Sequence, residues 1–304
     1  MRSILSLKGW RLRGFMAVSE ILVALRLFPG GAKVMQMPLE KRAAMGPSPW
    51  MLLPIPEVTV ERGSVNGREC VIPVKKFLPK VSSDRACQIL FIHGGGWFAG
   101  NEDSLDYLCT NLCDRLGLDV TSVGYRLAPD FPFPAGLNDC EDVLKTIAVD
   151  GRSVIVVGDS AGGNLAAALC LKARGEVKIE RQVLIYPFLD GTLQSASIDP
   201  PRLGLRREDM VDMVNVYKGN AKASNPYISP ICSTDLSALP PALIITADCD
   251  PLRDDGSRYA DCLREAGVPV RYENYLRMPH GFLSLASICS VAPEAIDLIV
   301  GELR

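Results

Sequence analysis

The chain has 304 residues, an apolar fraction of 48% and a formal net charge of -2 from 33 basic and 35 acidic residues. That is enough for one large buried core, with Lys, Arg, Asp and Glu mixed along the chain and no basic block for nucleic acid. Fixed-period repeats and low-complexity tracts are absent, and ten cysteines in mostly apolar segments lack the spacing of a zinc site or disulfide framework. Their pattern predicts reduced core thiols in a cytoplasmic protein.

The N-terminal segment is basic and then apolar, but Glu20 interrupts the apolar run and Arg26 ends it. Phe15, Val18, Leu22 and Leu25 follow a helical period, so an amphipathic helix is expected, too short and too charged to insert stably into a bilayer. Residues 1–55 read as helical, broken by Pro29-Gly30-Gly31 and Gly46-Pro47-Ser48-Pro49. Met35, Met37, Met45, Trp50, Met51 and Leu52 could line an apolar site or serve ordinary helix packing.

Strand signals then begin, at 57–60 and 68–74, with no helix between them, which predicts an antiparallel edge. Residues 88–92 read as a strand, with Ile89-Leu90-Phe91-Ile92 apolar without a break, the pattern of a strand buried on both faces. Further strands are expected at 120–125, 153–157, 182–186, 242–246 and 270–275. Helical patterns at 104–116, 136–149, 161–173, 254–265 and 293–303 alternate with them, which implies βαβ crossovers and a mostly parallel sheet of about eight strands. Residues 190–224 break the alternation, with Pro200-Pro201 and a helical piece at 208–217. The expected organisation is therefore an α/β-hydrolase catalytic domain at 56–189 and 226–304, covered by a helical cap from 1–55 and 190–225.

The chemistry centres on Gly158-Asp159-Ser160-Ala161-Gly162, which follows an apolar strand and opens an Ala- and Leu-rich helix. This is the form of a nucleophile elbow. Gly158 and Gly162 leave room for the sharp turn. Ser160 then sits at a helix N-terminus, where the Ala161 N–H is a natural oxyanion donor. A serine hydroxyl needs a base within hydrogen-bond reach, and the chain contains only two histidines, His93 and His280. His93 opens His93-Gly94-Gly95-Gly96-Trp97, a glycine loop whose N–H groups suit the second half of an oxyanion hole. That leaves His280 as the base. The acid follows the strand at 242–246, where Asp248, Asp250, Asp254 and Asp255 compete. Asp250 stands just past the strand, with Asp248 as runner-up, and surface positions are expected for Asp254 and Asp255. The order Ser160, Asp250, His280 matches α/β-hydrolase triads.

The chain resembles the hormone-sensitive lipase family, the class IV esterases of bacteria and plants. The resemblance rests on His93-Gly94-Gly95-Gly96-Trp97, Gly158-Asp159-Ser160-Ala161-Gly162-Gly163-Asn164, Asp250-Pro251-Leu252-Arg253-Asp254, His280-Gly281-Phe282 and the segment Tyr125-Arg126-Leu127-Ala128-Pro129. It implies hydrolysis of small-molecule carboxylic esters, usually with short acyl chains, with no cofactor and no metal. It also implies that Gly95 and Gly96 join Ala161 in the oxyanion hole. Gly94, Trp97 and Asp159 are expected to meet the substrate, with Asp159 ordering the site by hydrogen bonding. Family members often dimerise, and a homodimer is left open by the residues themselves. Phe131 stands where the family usually carries a histidine after Asp130. An amidase, formamidase or lactonase would share the same triad. A non-catalytic receptor like the plant gibberellin receptors would lack the histidine that His280 supplies.

Overall fold

The computed structural model describes residues 31–45, 55–199 and 205–304. The expected helix around 15–26, residues Trp50 to Leu52 and the Pro200-Pro201 pair lie outside them.

Eight strands form one sheet in the order β1-β2-β4-β3-β5-β6-β7-β8. They are β1 (Thr59–Asn66), β2 (Val71–Leu78), β3 (Cys87–Ile92), β4 (Val120–Val123), β5 (Ser153–Asp159), β6 (Ile179–Ile185), β7 (Ala242–Cys249) and β8 (Val270–Pro279). The β1–β2 and β2–β4 pairs are antiparallel and the other five are parallel. The predicted antiparallel edge is therefore present, but both of its strands lie later in sequence than the patterning suggested. Seven of the eight β1 residues are exposed. Pairing with β2 forms this edge strand rather than burial, so hydrophobic alternation could not locate its ends.

The central strands obey burial. Every residue of β3 and β5 is buried, as parallel strands covered on both faces must be. Leu90, Ile92, Val154, Val156, Leu184 and Ile244 point into one core layer. Ile89, Phe91, Ile155, Val157, Val183 and Ile245 point into the other, which follows from the two-residue period of a strand. Helices cover both faces. In chain order they are α1 (Gly31–Met35), α2 (Leu39–Ala43), α3 (Asp106–Leu116), α4 (Ala135–Ile147), α5 (Ala161–Lys172), α6 (Arg207–Lys218), α7 (Arg253–Glu265) and α8 (Val291–Leu303). α4, α5 and α7 bury their apolar sides in the first layer, and α3 and α8 in the second. α5 needs almost no polar face: its residues from Ala161 to Leu171 are all buried, so Ala and Leu dominate it. All ten cysteines are free. No helix of the described residues is long and apolar enough to cross a membrane.

α6 is the helix expected in the 190–224 interruption. Its Tyr217 ring stacks on Trp97 at 4.4 Å, and the Tyr217 carbonyl accepts from the Phe133 N–H at 2.7 Å. α1 packs against α6. The segments 31–45 and 205–218 thus meet above the carboxyl edge of the sheet.

Asp255 corrects one expectation. The sequence places it on the solvated first turn of α7, yet it is 1% exposed. Its carboxylate accepts the Leu189 and Asp190 N–H groups at 3.0 Å each, as well as the Ser195 hydroxyl. Burial pushes its pKa up to about 7, against the opposing effect of these donors. The sequence showed a charged residue in the first turn of a helix, which is usually solvated. It could not show that the distant Leu189–Asp190 backbone needs its N–H groups satisfied there.

Candidate active site

β5 ends at Asp159 and α5 starts at Ala161, so Ser160 alone makes the turn. Its φ of 54° lies in the left-handed region, which an L side chain adopts only when its surroundings over-determine it. The surroundings here are backbone. The Ser160 N–H donates to the Ile185 carbonyl at 2.8 Å, and the Ser160 carbonyl accepts from Asn164 and Phe188. A Cβ on Gly158 would come within 2.2 Å of the Gly162 carbonyl oxygen, and one on Gly162 within 2.1 Å of the Ile92 oxygen. The Gly-x-Ser-x-Gly pattern is thus explained by contact distances. Gly162→Ala is expected to lower stability by more than about 4 kcal/mol, the range reached when nothing but backbone is available to move. Chemical denaturation measures this, and a wild-type midpoint would contradict the close approach.

His280 is the first residue beyond β8, and Asp250 the first beyond β7. The Asp250 Oδ2 lies 2.7 Å from His280 Nδ1, and His280 Nε2 lies 2.8 Å from Ser160 Oγ. An ionised carboxylate can only accept, so Nδ1 carries the ring proton and Nε2 is left as the acceptor for the Ser160 hydroxyl. Asp250 is fully buried, and its second oxygen accepts the Leu252 N–H at 2.8 Å. Burial alone would lower the His280 pKa. The Asp250 carboxylate, its hydrogen bond and the Asp159 charge outweigh burial and hold it above the ordinary 6.5. Asp248, the runner-up acid, instead faces Arg253 and the Arg277 N–H.

The glycine loop follows β3 and reaches the same point. The Gly95, Gly96 and Ala161 N–H groups donate to no acceptor among the described residues. The peptide carrying the Gly95 N–H is held by its other end: His93 Nδ1 donates to the Gly94 carbonyl at 2.7 Å. His93 is fully buried and stacks on Tyr125 at 4.3 Å. Burial drives its pKa down to about 4, so it stays neutral. It pins the loop, as its place before three glycines suggested. Asp159 ties the loop to the elbow, its Oδ1 accepting the Gly94 N–H at 2.8 Å. Burial raises the Asp159 pKa to about 6, against the lowering effect of that N–H and of His280.

A cavity of about 470 Å³ opens over Ser160 and His280. Gly94, Gly95, Gly96, Asp159 and Ala161 line it, together with Phe188, Leu205 and Met213. Trp97 does not, contrary to the expectation that it meets substrate. It is 1% exposed, edge-on to Phe188 and stacked on Tyr217, so it carries α6 on the glycine loop. Of the apolar residues proposed from the N-terminal segment, Met45 lines the cavity, while Met35 and Met37 pack against the core. Sequence reading missed Tyr186, Phe188 and Met213. Phe188 follows Pro187 after β6 and is held by the Asn164 side-chain amide, which donates to its carbonyl at 2.8 Å. Only the position of Asn164 in the elbow motif hinted at such a link.

Strands that converge at their carboxyl ends on a linked serine, histidine and aspartate, beside free N–H donors, define a hydrolase of the α/β type. Residues 89–284 match the profile of the alpha/beta hydrolase fold family. Over 248 residues the chain is 34% identical to an ethyl acetate hydrolase of Pseudomonas putida, covering 77% of this chain and 78% of that one. It is similar to the solved esterase of Pyrobaculum calidifontis at 33% identity and a TM-score of 0.78, over 94% of this chain and 96% of that one. A hormone-sensitive lipase from a metagenome library matches at 28% identity and a TM-score of 0.79, over 95% and 96%. The chain belongs to the α/β-hydrolase family as a hormone-sensitive-lipase-like carboxylesterase.

Proposed function

We propose that this carboxylesterase acts on small esters with short acyl chains, through an acyl-enzyme on Ser160. The observation that carries the assignment of roles is the relay from Asp250 through His280 to Ser160, with spacings of 2.7 and 2.8 Å. His280 Nε2 takes the Ser160 proton as Oγ attacks the ester carbon. The carbonyl oxygen becomes an oxyanion held by the Gly95, Gly96 and Ala161 N–H groups. The intermediate collapses, and His280 returns the proton to the departing alcohol. Water then attacks the acyl-enzyme by the same route, giving a proton to His280; the second intermediate collapses to the carboxylic acid as His280 Nε2 returns that proton to the departing Ser160 Oγ. No step asks for a metal or a cofactor.

Short substrates fit the enclosure. The cavity is of small-ligand size and mostly apolar, bounded by Met213 and Leu205 from the 205–218 segment and by Val34 and Met45 from the 31–45 segment. We assign these two segments to a cap over a catalytic core. The name of the Pseudomonas putida relative, an ethyl acetate hydrolase, supports the same substrate size. Free cysteines, six of them buried, support a reducing, cytoplasmic setting.

A series of p-nitrophenyl esters from acetate to palmitate tests the reading. Turnover should peak at short chains and fall as the acyl group outgrows the cavity. A maximum at palmitate would overturn the short-chain assignment, and folded protein that cleaves only amides or lactones would move the activity within the family.

A further inference from the structure

Arg42 is a buried arginine, 1% exposed, on the short helix α2 and far in sequence from the reactive residues. Its guanidinium is spent on three separate segments. Nε donates to the Met37 carbonyl at 3.0 Å. Nη1 donates to the Phe98 and Ala128 carbonyls at 2.6 Å each. Nη2 pairs with the half-exposed Asp130 carboxylate. The Arg42 backbone takes part as well, its carbonyl accepting from the Gly100 N–H at 3.1 Å. Burying a charge in this way is unfavourable unless the partners matter, and three of the four side-chain acceptors are backbone carbonyls.

The Phe98 contact leads to the reactive centre. The Phe98 and Ala99 N–H groups donate to the Gly95 carbonyl at 3.2 and 3.0 Å. That carbonyl and the Gly96 N–H are two ends of one planar peptide. Whatever fixes the 98–100 turn therefore fixes the direction of the Gly96 N–H. The Gly95 N–H has its own support from His93. The Gly96 N–H depends on a turn gripped on both sides by Arg42, at the Phe98 carbonyl and the Gly100 N–H.

We propose that Arg42 is a positioning residue for the oxyanion hole, holding the 98–100 turn so that the Gly96 N–H faces the developing oxyanion. The proposal rests on the esterase reading of this site and extends it to a residue that touches no substrate. Two independent observations meet in it: the burial and saturation of the guanidinium, and the shared peptide plane of Gly95 and Gly96. It also accounts for Asp130, which orients the guanidinium from its outer edge.

The test compares wild type, Arg42→Ala, Arg42→Lys and Asp130→Ala, all checked for folding by circular dichroism, with p-nitrophenyl acetate as substrate. Losing one oxyanion donor outright costs about 100- to 1,000-fold in kcat, and a donor misplaced by about 1 Å can cost about 100-fold. Arg42→Ala is therefore expected to lose kcat by about 10- to 100-fold, with KM little changed and the acid limb of the pH profile unmoved, because the triad is untouched. Inactivation by a p-nitrophenyl phosphonate should slow in parallel, since it builds charge on the same oxygen. Added guanidinium ion should restore part of the lost kcat. Arg42→Lys offers one point charge in place of a rigid fork and should fall between the two. Asp130→Ala should show the same signature at smaller size.

Wild-type kcat in folded Arg42→Ala overturns the proposal. So does a loss carried by KM alone, which would make Arg42 only a prop for the cavity wall. If Arg42→Ala does not fold, Arg42→Lys and Asp130→Ala decide: wild-type kcat in both overturns the proposal, and reduced kcat at unchanged KM supports it. Failure of the esterase reading would look different, because wild type itself would then neither turn over the ester nor take up phosphonate on Ser160.

Discussion

Ser160→Ala is expected to lower kcat by about 10⁶-fold, the loss seen when the nucleophile of such a triad is removed. At 1.36 kcal/mol per tenfold this is about 8 kcal/mol of transition-state stabilisation. The residual rate would come from the three N–H donors and from binding alone. Folding should barely change. Among the described residues Oγ makes one hydrogen bond, to His280, worth about 1 kcal/mol, and alanine meets the same positive φ that serine already tolerates. The measurement is steady-state hydrolysis of p-nitrophenyl acetate beside a thermal melt. A folded variant with activity within tenfold of wild type would remove Ser160 from the chemistry.

Asp250→Asn has the second-largest expected effect, a fall in kcat of about 10⁴-fold with little change in shape. The asparagine oxygen can still accept the Leu252 N–H. Its amide N–H then faces His280 Nδ1, which can only accept it by giving up its own proton. The proton moves to Nε2 and points at Ser160 Oγ, so the ring can no longer take the serine proton. The same variant has a signature in pH. In wild type, catalysis needs neutral His280, whose pKa is held above 6.5 by Asp250 against burial. kcat/KM should therefore fall as the pH drops through that raised value. Without the Asp250 charge burial prevails, so the residual activity of Asp250→Asn should persist to lower pH. An unshifted acid limb, or activity near wild type, would mean that another carboxylate supports the imidazole. Asp248 is the obvious substitute, and its contacts with Arg253 and the Arg277 N–H speak against it.

The members of this site were legible because each is tied to a local pattern. Ser160 closes a strand whose apolar run is Val154 to Val157 and precedes an Ala-rich helix. Gly158 and Gly162 flank it because backbone oxygens lie where a Cβ would go. Asp250 and His280 sit one residue beyond β7 and β8, and parallel strands deliver their carboxyl ends to one edge. Scarcity helped too, since two histidines leave few choices for a base. Trp97 departs from its expected place beside the substrate for a complementary reason. Its neighbours in sequence belong to the oxyanion loop, but its ring turns away to carry Tyr217 of α6, and no local pattern records which way a loop side chain faces. Asp255 and Arg42 show the same limit for charged residues. Each looks solvated in its own helix, and each is buried because a distant segment supplies or needs hydrogen bonds.

The sequence by itself determined the order of strands and helices, the parallel core and the residues of the relay, because hydrophobic period and turn chemistry act over a few residues. The tertiary structure alone decided the ends of β1 and β2, the inward place of Asp255 and Arg42, the packing of Trp97 against α6 and the meeting of 31–45 with 205–218 over Ser160. Those outcomes depend on which distant backbone groups must be satisfied and which apolar surfaces remain to be covered once the sheet has closed, and such demands exist only in three dimensions.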